Sequence, residues 1–386
     1  MTSDAVLRVV YVINGLGTGG AERSLAELLG PLRQRDVEIR VVCLEHRAEG
    51  VEDEVVAGND VSFVGPGLVR SWRAIRREIA AAKPHVVHTT IFESDVLGRL
   101  ASIGTGVPVV SSIVNTSYDV PRGPHPDVPP AKLRVVRAID GFTARHLVTR
   151  FHALTRASAA AGARALGVSP DLIEVIPRGR DVSRLGEPSP ARRARIRSQL
   201  DLSGDRYVML SVGRQEHQKG QVHAIEALAT IVARHPDTVL LVAGRDGAAT
   251  GRLRDRVRSQ GVGGSVRWLG HRDDVPDLMA ASDVLLFPSL YEGFGGTVIE
   301  AMALGLPVVA SDIPTLSEVT SDAAIMTEVG SSSELAGAVI ELRDDPTLGA
   351  RLSAAGRARF SSLYTIDAVA DQMADFYRAV VAARSI

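Results

Sequence analysis

Residues Val284–Pro307 read VLLFPSLYEGFGGTVIEAMALGLP. The opening VLLF has the length and composition of a buried strand. Glycines at 293, 295 and 296 then break the pattern, and from Thr297 apolar residues return at helical spacing until Gly305 and Pro307 stop them. Strand, glycine loop and helix in that order make one unit of a parallel sheet. Such glycines let backbone N–H groups come close to a phosphate, and the helix N-terminus adds partial positive charge. Glu292 in the loop and Glu300 on the helix stand eight positions apart, so the pair can reach different parts of one ligand. The plainer alternative is a glycine turn with surface acids, but strand, loop chemistry and helix agree in one stretch.

The same alternation extends outward. Tyr207–Val212, Val239–Ala243, Val266–Leu269 and Val308–Ala310 read as further strands with helical stretches between them. Val6–Ile13, Val37–Leu44, Val86–Val87, Val107–Ile113 and Ile173–Ile176 repeat the pattern nearer the N-terminus. Between the two series lies 178–190, RGRDVSRLGEPSP, poor in apolar residues and rich in turn formers. The expected fold is therefore α/β with two Rossmann-like, doubly wound parallel-sheet domains, residues 1–183 and 184–365. Ligands should bind in the cleft where the carboxyl ends of both sheets face each other. Residues 366–386 carry Val369, Met373, Phe376 and Val380 at helical spacing, a stripe suited to packing back on the first domain.

Two more glycine clusters follow strands. Gly15-Leu-Gly17-Thr-Gly19-Gly20 fits G-x-G-x-x-G and leads into a helix at Ala21-Glu22. This spacing suits a pyrophosphate on a helix N-terminus, or simply a tight strand-to-helix turn. Gly213-Arg214 with Lys219-Gly220 opens the second domain and sets two fixed cations at a strand's carboxyl end, an arrangement suited to a diphosphate. Two solvated loop charges are the alternative.

Composition limits the function classes. The chain has 386 residues, 44 Lys and Arg against 45 Asp and Glu, and a formal net charge of −1, which does not fit a dedicated nucleic-acid binder. Cys43 is the only cysteine, so neither an intrachain disulfide nor a multi-cysteine zinc site can form. No apolar run approaches the ~20 residues of a spanning helix, and Met1-Thr-Ser-Asp leads straight into a strand-like run without an export pattern. The expected location is the cytoplasm. Arg70, Arg73, Arg76 and Arg77, and then Lys132, Arg134, Arg137, Arg145 and Arg150, form basic stretches. They suit solvent or an anionic lipid surface, and the neutral overall balance favours solvent.

Taken together, Gly19-Gly20-Ala21-Glu22, Gly213-Arg214 with Lys219-Gly220, Gly270-His271-Arg272, and the E-x7-E pair Glu292 and Glu300 resemble the family-4 glycosyltransferases. These are retaining nucleotide-sugar transferases of GT-B architecture, and the likeness runs from about Val9 to Phe360. The resemblance implies that Arg214 and Lys219 hold the donor diphosphate and that Glu292 contacts the sugar. It implies that Glu300 binds the ribose hydroxyls, while the backbone of Phe294, Gly295, Gly296 and Thr297 touches phosphate or sugar. Gly213 lies beside the diphosphate cations, and His271 and Arg272 near the base. Gly19 and Gly20 would close over the phosphates from the other domain. The implied partners are a nucleotide sugar, UDP-linked for preference, and a hydroxyl acceptor on a small molecule, saccharide or lipid-linked saccharide.

No D-x-D occurs in the chain, so no metal and no cofactor are expected, with Arg214 and Lys219 taking the electrostatic role of a divalent ion. The chain departs from the family pattern at Asn115, which stands where many relatives carry a histidine, and Asn cannot titrate near neutrality. His88, ending a strand, matches a frequent family histidine; it reads equally as a polar residue of the cleft and as strand-end packing, and it is an acceptor-side candidate along with Asn115. Three rival functions remain: an NAD(P) oxidoreductase using the G-x-G-x-x-G loop, a nucleotide-sugar binder without turnover, and an epimerase. The first leaves Arg214, Lys219, Glu292 and Glu300 without a role.

Overall fold

The computed structural model describes residues 6–114, 130–202 and 205–383; Asn115 and the prolines of 121–129 lie outside these. The chain divides into two compact units, Met1–Arg180 with Ile366–Ile386, and Asp181–Thr365. The border falls within the turn-rich 178–190 stretch, a few residues before the expected 183/184 division.

The first unit is built on β1 (Leu7–Ile13), β2 (Val37–Cys43), β3 (Asp60–Phe63), β4 (Val86–Thr90), β5 (Val109–Ile113), β6 (Arg150–Ala153) and β7 (Ile173–Val175). They form one parallel sheet in the order β3-β2-β1-β4-β5-β6-β7. Its helices are α1 (Gly20–Arg33), α2 (Glu52–Gly58), α3 (Leu68–Ala82), α4 (Phe92–Ala101), α5 (Pro130–Leu147) and α6 (Arg156–Leu166). β4 and β5 are buried at every residue, as strands covered on both faces must be.

The second unit contains α7 (Val182–Leu185), α8 (Pro190–Gln199), β8 (Tyr207–Val212), α9 (Gln221–Arg234), β9 (Thr238–Ala243), α10 (Thr250–Gln260), β10 (Val266–Gly270) and α11 (Val275–Ala281). It continues with β11 (Val284–Phe287), α12 (Gly296–Leu304), β12 (Val308–Ser311), α13 (Pro314–Thr320), β13 (Ile325–Thr327), α14 (Ser332–Asp344) and α15 (Pro346–Leu363). The strands form a second parallel sheet, β10-β9-β8-β11-β12-β13. Local signals set several boundaries: Ser189 caps α8 by accepting a hydrogen bond from Arg192 N, and Pro190 occupies its first turn.

The chain then returns to the first unit as α16 (Ile366–Ala382), whose Val369, Met373, Tyr377 and Val380 pack on Val9, Val86, Val110 and Ile176. Full burial of an aliphatic side chain such as Met373 contributes about 1.5–3 kcal/mol. Two doubly wound parallel sheets are thus present as the sequence pattern required. In each, strand order reverses at one place, between β1 and β4 and between β8 and β11. Loops leaving the carboxyl ends of such a strand pair diverge and open a crevice.

Candidate active site

At the β8/β11 reversal the loop after β8 meets the loop after β11. Gly213 follows β8 directly, and a single tight turn, His217–Lys219, leads to Gly220. Gly220 has φ +59°, and a Cβ there would land on the carbonyl oxygen of Pro288. Only glycine lets the two loops approach so closely. Hydrogen bonds then join them: Leu290 N donates to Gln218 O at 2.8 Å, and Gln218 Nε2 donates to Tyr291 O at 2.9 Å.

This seam places Lys219 Nζ 2.5 Å from Glu292 Oε1. Ser289 Oγ donates to the same carboxylate oxygen at 3.1 Å, and Thr315 Oγ1 donates to the Glu292 carbonyl at 3.0 Å. Glu292 is buried at 9% exposure, while a quarter of the Lys219 side chain meets solvent. The ammonium also lies 5.4 Å from the Phe287 ring centre. An ammonium has three protons, so Lys219 can hold Glu292 and still donate to an incoming anion.

Beside the pair begins α12. Gly295 precedes it with φ +92°, where a Cβ would stand 2.8 Å from Leu316 Cδ2. No side chain caps this helix and no acid occupies its first turn. A helix leaves its first N–H groups without internal acceptors, so those of Gly296 and Thr297 are donors suited to an anion. Gly296, Thr297 and Glu300 are half-buried, whereas Val298, Ile299, Ala301 and Met302 are buried in the core. The Phe294 ring is buried too, edge-on to Tyr364 at 5.8 Å, which leaves only its backbone to face a ligand.

The remaining candidates in this unit are placed differently. Arg214 shares the β8 loop, but its side chain is 69% exposed, with Nε 3.5 Å from Glu216 Oε1. His271 and Arg272 follow β10, beyond β9. His271 Nε2 lies 3.3 Å from Asp273 Oδ1, and Arg272 grips both oxygens of Asp274, which raises its pKa.

In the first unit Gly19 precedes α1 and Gly20 opens it, and a Cβ on Gly20 would strike the Arg178 guanidinium. His88 is buried, with both ring nitrogens occupied: Nδ1 is 2.6 Å from the Tyr377 hydroxyl and Nε2 is 2.7 Å from Ser112 Oγ. Ser112 Oγ is in turn 2.9 Å from His152 Nδ1, and His152 Nε2 is 2.8 Å from the Ile176 carbonyl oxygen. That carbonyl can only accept, so His152 carries its proton on Nε2 and receives the Ser112 proton on Nδ1. His88 then donates from Nε2 to Ser112 and accepts from Tyr377. The direction of every bond follows once both rings are neutral. Burial, reinforced by His152, holds the His88 pKa well below its usual range. Burial also lowers that of His152 to about 4, against the hydrogen bond to Ile176. His88 therefore joins α16 to the sheet, and it lines a pocket shared with Tyr11, Thr90, Arg178 and Met373.

Sequence reasoning did not single out Ser289, Gln218, Thr315 or the Tyr377–Ser112–His152 chain. Ser289 lies in the quoted loop and its spacing to Glu292 was visible. Tyr377 has no local signal, since it reaches His88 across 289 positions.

Two parallel sheets, each with a single strand-order reversal and glycine-bearing loops at its carboxyl ends, form the architecture of the GT-B glycosyltransferases. The family model described as Glycosyl transferases group 1 matches residues 192–359, and that described as Glycosyl transferase 4-like domain matches 19–179. Between them they take in well over half of the chain, which belongs to the family-4, group 1 glycosyltransferases. It is 31% identical over 261 residues to 2-deoxystreptamine glucosyltransferase of Streptomyces kanamyceticus, covering 65% of this chain and 64% of that protein. The match thus spans just under two thirds of that relative's length. It is 26% identical over 372 residues to the lipopolysaccharide core biosynthesis mannosyltransferase LpsB of Rhizobium meliloti (strain 1021), covering 90% and 99% of the two chains. Among solved structures, Anabaena HepE in complex with UDP-glucose aligns with a TM-score of 0.83 at 24% identity, covering 97% of this chain and 100% of that one.

Proposed function

We propose that this protein transfers a hexosyl group from a UDP-linked sugar to a hydroxyl acceptor, with retention at the anomeric carbon and without a metal ion. The observation that carries this reading is the Lys219–Glu292 pair set beside the α12 N-terminus. As the anomeric C–O bond breaks, negative charge grows on the departing diphosphate and positive charge on the sugar. Lys219 and the Gly296 and Thr297 amides neutralise the former, and Arg214, exposed on the same loop, swings in as a second cation. Glu292 addresses the sugar, and Glu300, on the accessible side of α12, accepts from the ribose hydroxyls. Retention is carried over from the family resemblance and is not read from any spacing in the chain.

Named relatives support the substrate classes. HepE is recorded with UDP-glucose, and a 29% identical Escherichia coli relative is a UDP-Gal:alpha-D-GlcNAc-diphosphoundecaprenol alpha-1,3-galactosyltransferase. A thermal-shift series with UDP, GDP, ADP and TDP sugars tests the donor. A ligand at a hundredfold its Kd raises stability by about 2.7 kcal/mol. A selective shift with a UDP sugar, followed by release of UDP when hydroxyl acceptors are added, is the expected result. Binding without UDP release from any acceptor pool would make the protein a nucleotide-sugar binder instead.

A further inference from the structure

The geometry points to a lipid-docking face on the first unit, formed by α5 and α3 and fitted to an anionic bilayer. The inference does not depend on the proposed reaction. α3, α4, α5 and α6 pack side by side as one layer, as crossovers of one hand require. On α5, Val135, Ile139 and Phe142 are 58%, 44% and 59% exposed. Their i, i+4, i+7 spacing makes them one outward stripe. A helix docked only on its own sheet would present polar residues there, and large apolar side chains grouped on one exposed face mark an interaction surface. Leu68 and Val69 at the start of α3, and Ile103 just after α4, are likewise exposed.

The charges around this stripe have one sign. Lys132, Arg134, Arg137 and Arg145 are exposed on α5, and its one acid, Asp140, is buried on Arg99. α3 exposes Arg70, Arg73 and Arg77, while α6 exposes Arg156 and Arg164. Among the described residues of these four helices Glu93 is the only exposed carboxylate. Since the whole chain carries a net charge of −1, this basic layer is a local polarisation and not a general excess. Apolar side chains flanked by Arg and Lys match the boundary between acyl chains and anionic headgroups, which attracts each basic residue and accepts the apolar tips. No helix among the described residues is long and apolar enough to cross a membrane, so the contact would be peripheral.

Flotation with phosphatidylcholine vesicles, with or without phosphatidylglycerol, tests this on the full chain. Binding to the phosphatidylglycerol vesicles, weakened by salt and at least about tenfold lower on phosphatidylcholine alone, is expected. Val135→Ser/Ile139→Ser/Phe142→Ser and, separately, Lys132→Glu/Arg134→Glu should each lower the partition by about tenfold or more. All these side chains are exposed, and an unchanged Tm would verify that both variants fold. No flotation by the parent, equal flotation on both lipids, or undiminished flotation of either variant would overturn the proposal. A concentration-dependent dimer abolished by the triple serine variant would overturn it too, by assigning the stripe to a second copy.

Discussion

Lys219 Nζ stands 2.5 Å from Glu292 Oε1, joining loops that leave two adjacent strands, β8 and β11. Under the proposed reaction the pair has two separable duties, one in the fold and one toward the donor. Lys219→Met removes the partner of a buried carboxylate, which should lower stability by about 1–3 kcal/mol. It should also slow UDP release by ~10²–10³, the scale of losing one preorganised charge. Adding Glu292→Gln removes the stranded charge and should restore the Tm while turnover stays low. Recovery of turnover in the double variant would show that Lys219 acts only by neutralising Glu292.

Gly220 fixes how closely the two loops approach. Gly220→Ala puts a Cβ on the Pro288 carbonyl at φ +59°, and backbone has to move to relieve it. We expect a loss of about 2 kcal/mol or more in unfolding free energy, with weaker UDP-sugar binding because Lys219 follows the moved loop. Gly251→Ala on α10, with nothing within 4 Å of its new Cβ, serves as the control. It should be neutral or stabilising by up to about 1 kcal/mol. Equal melting curves for the two variants would refute the steric argument.

The neutral histidine chain gives stability a pH dependence. His88 and His152 have folded pKa values held down by burial, the latter to about 4, against ~6.5 when unfolded. In the window between, the unfolded chain binds more protons, so stability rises with pH. Their contribution is present above about pH 6.5 and is lost as pH falls towards 4. His88→Gln/His152→Gln should therefore flatten the acid side of the Tm–pH curve relative to the parent. Tyr377→Phe should cost about 1–3 kcal/mol at neutral pH by leaving His88 Nδ1 without its donor. Parallel Tm–pH curves for the parent and the glutamine variant would refute the neutral chain.

Strands with nearly continuous apolar runs were legible in the sequence because burial on both faces leaves little room for polar residues. β8 and β11 match the expected bounds, and β1 differs by one residue. β3, β6 and β13 were not legible. β3 begins with Asp60, β6 begins with Arg150 and contains His152, and β13 has only three residues at a sheet edge, so none shows a distinctive apolar run. The candidate site divides along the same line. Gly213, Lys219, Glu292 and the α12 glycines lie in contiguous motifs whose spacing encodes a turn. The partners that orient them are set by strand adjacency, Gln218 by β8/β11 and Thr315, which follows β12, by β11/β12, and the distances across those adjacencies are absent from any local pattern.

Removal of divalent ions tests the charge arrangement of the active site as a whole. A diphosphate leaving group needs positive charge where its bridging oxygen departs, and a metal enzyme supplies it from an ion held by carboxylates. Here Lys219 is already fixed in the crevice, Arg214 sits on the same loop with its side chain largely in solvent, and the α12 amides lie alongside. If these groups carry the load, EDTA should leave the rate of UDP release unchanged and added Mg²⁺ should not stimulate it. Arg214→Ala should then lose ~10²–10³ in turnover, as for one preorganised donor. A tenfold or greater fall in EDTA, reversed by Mg²⁺, would place the diphosphate charge on a metal and reduce Lys219 and Arg214 to auxiliary contacts.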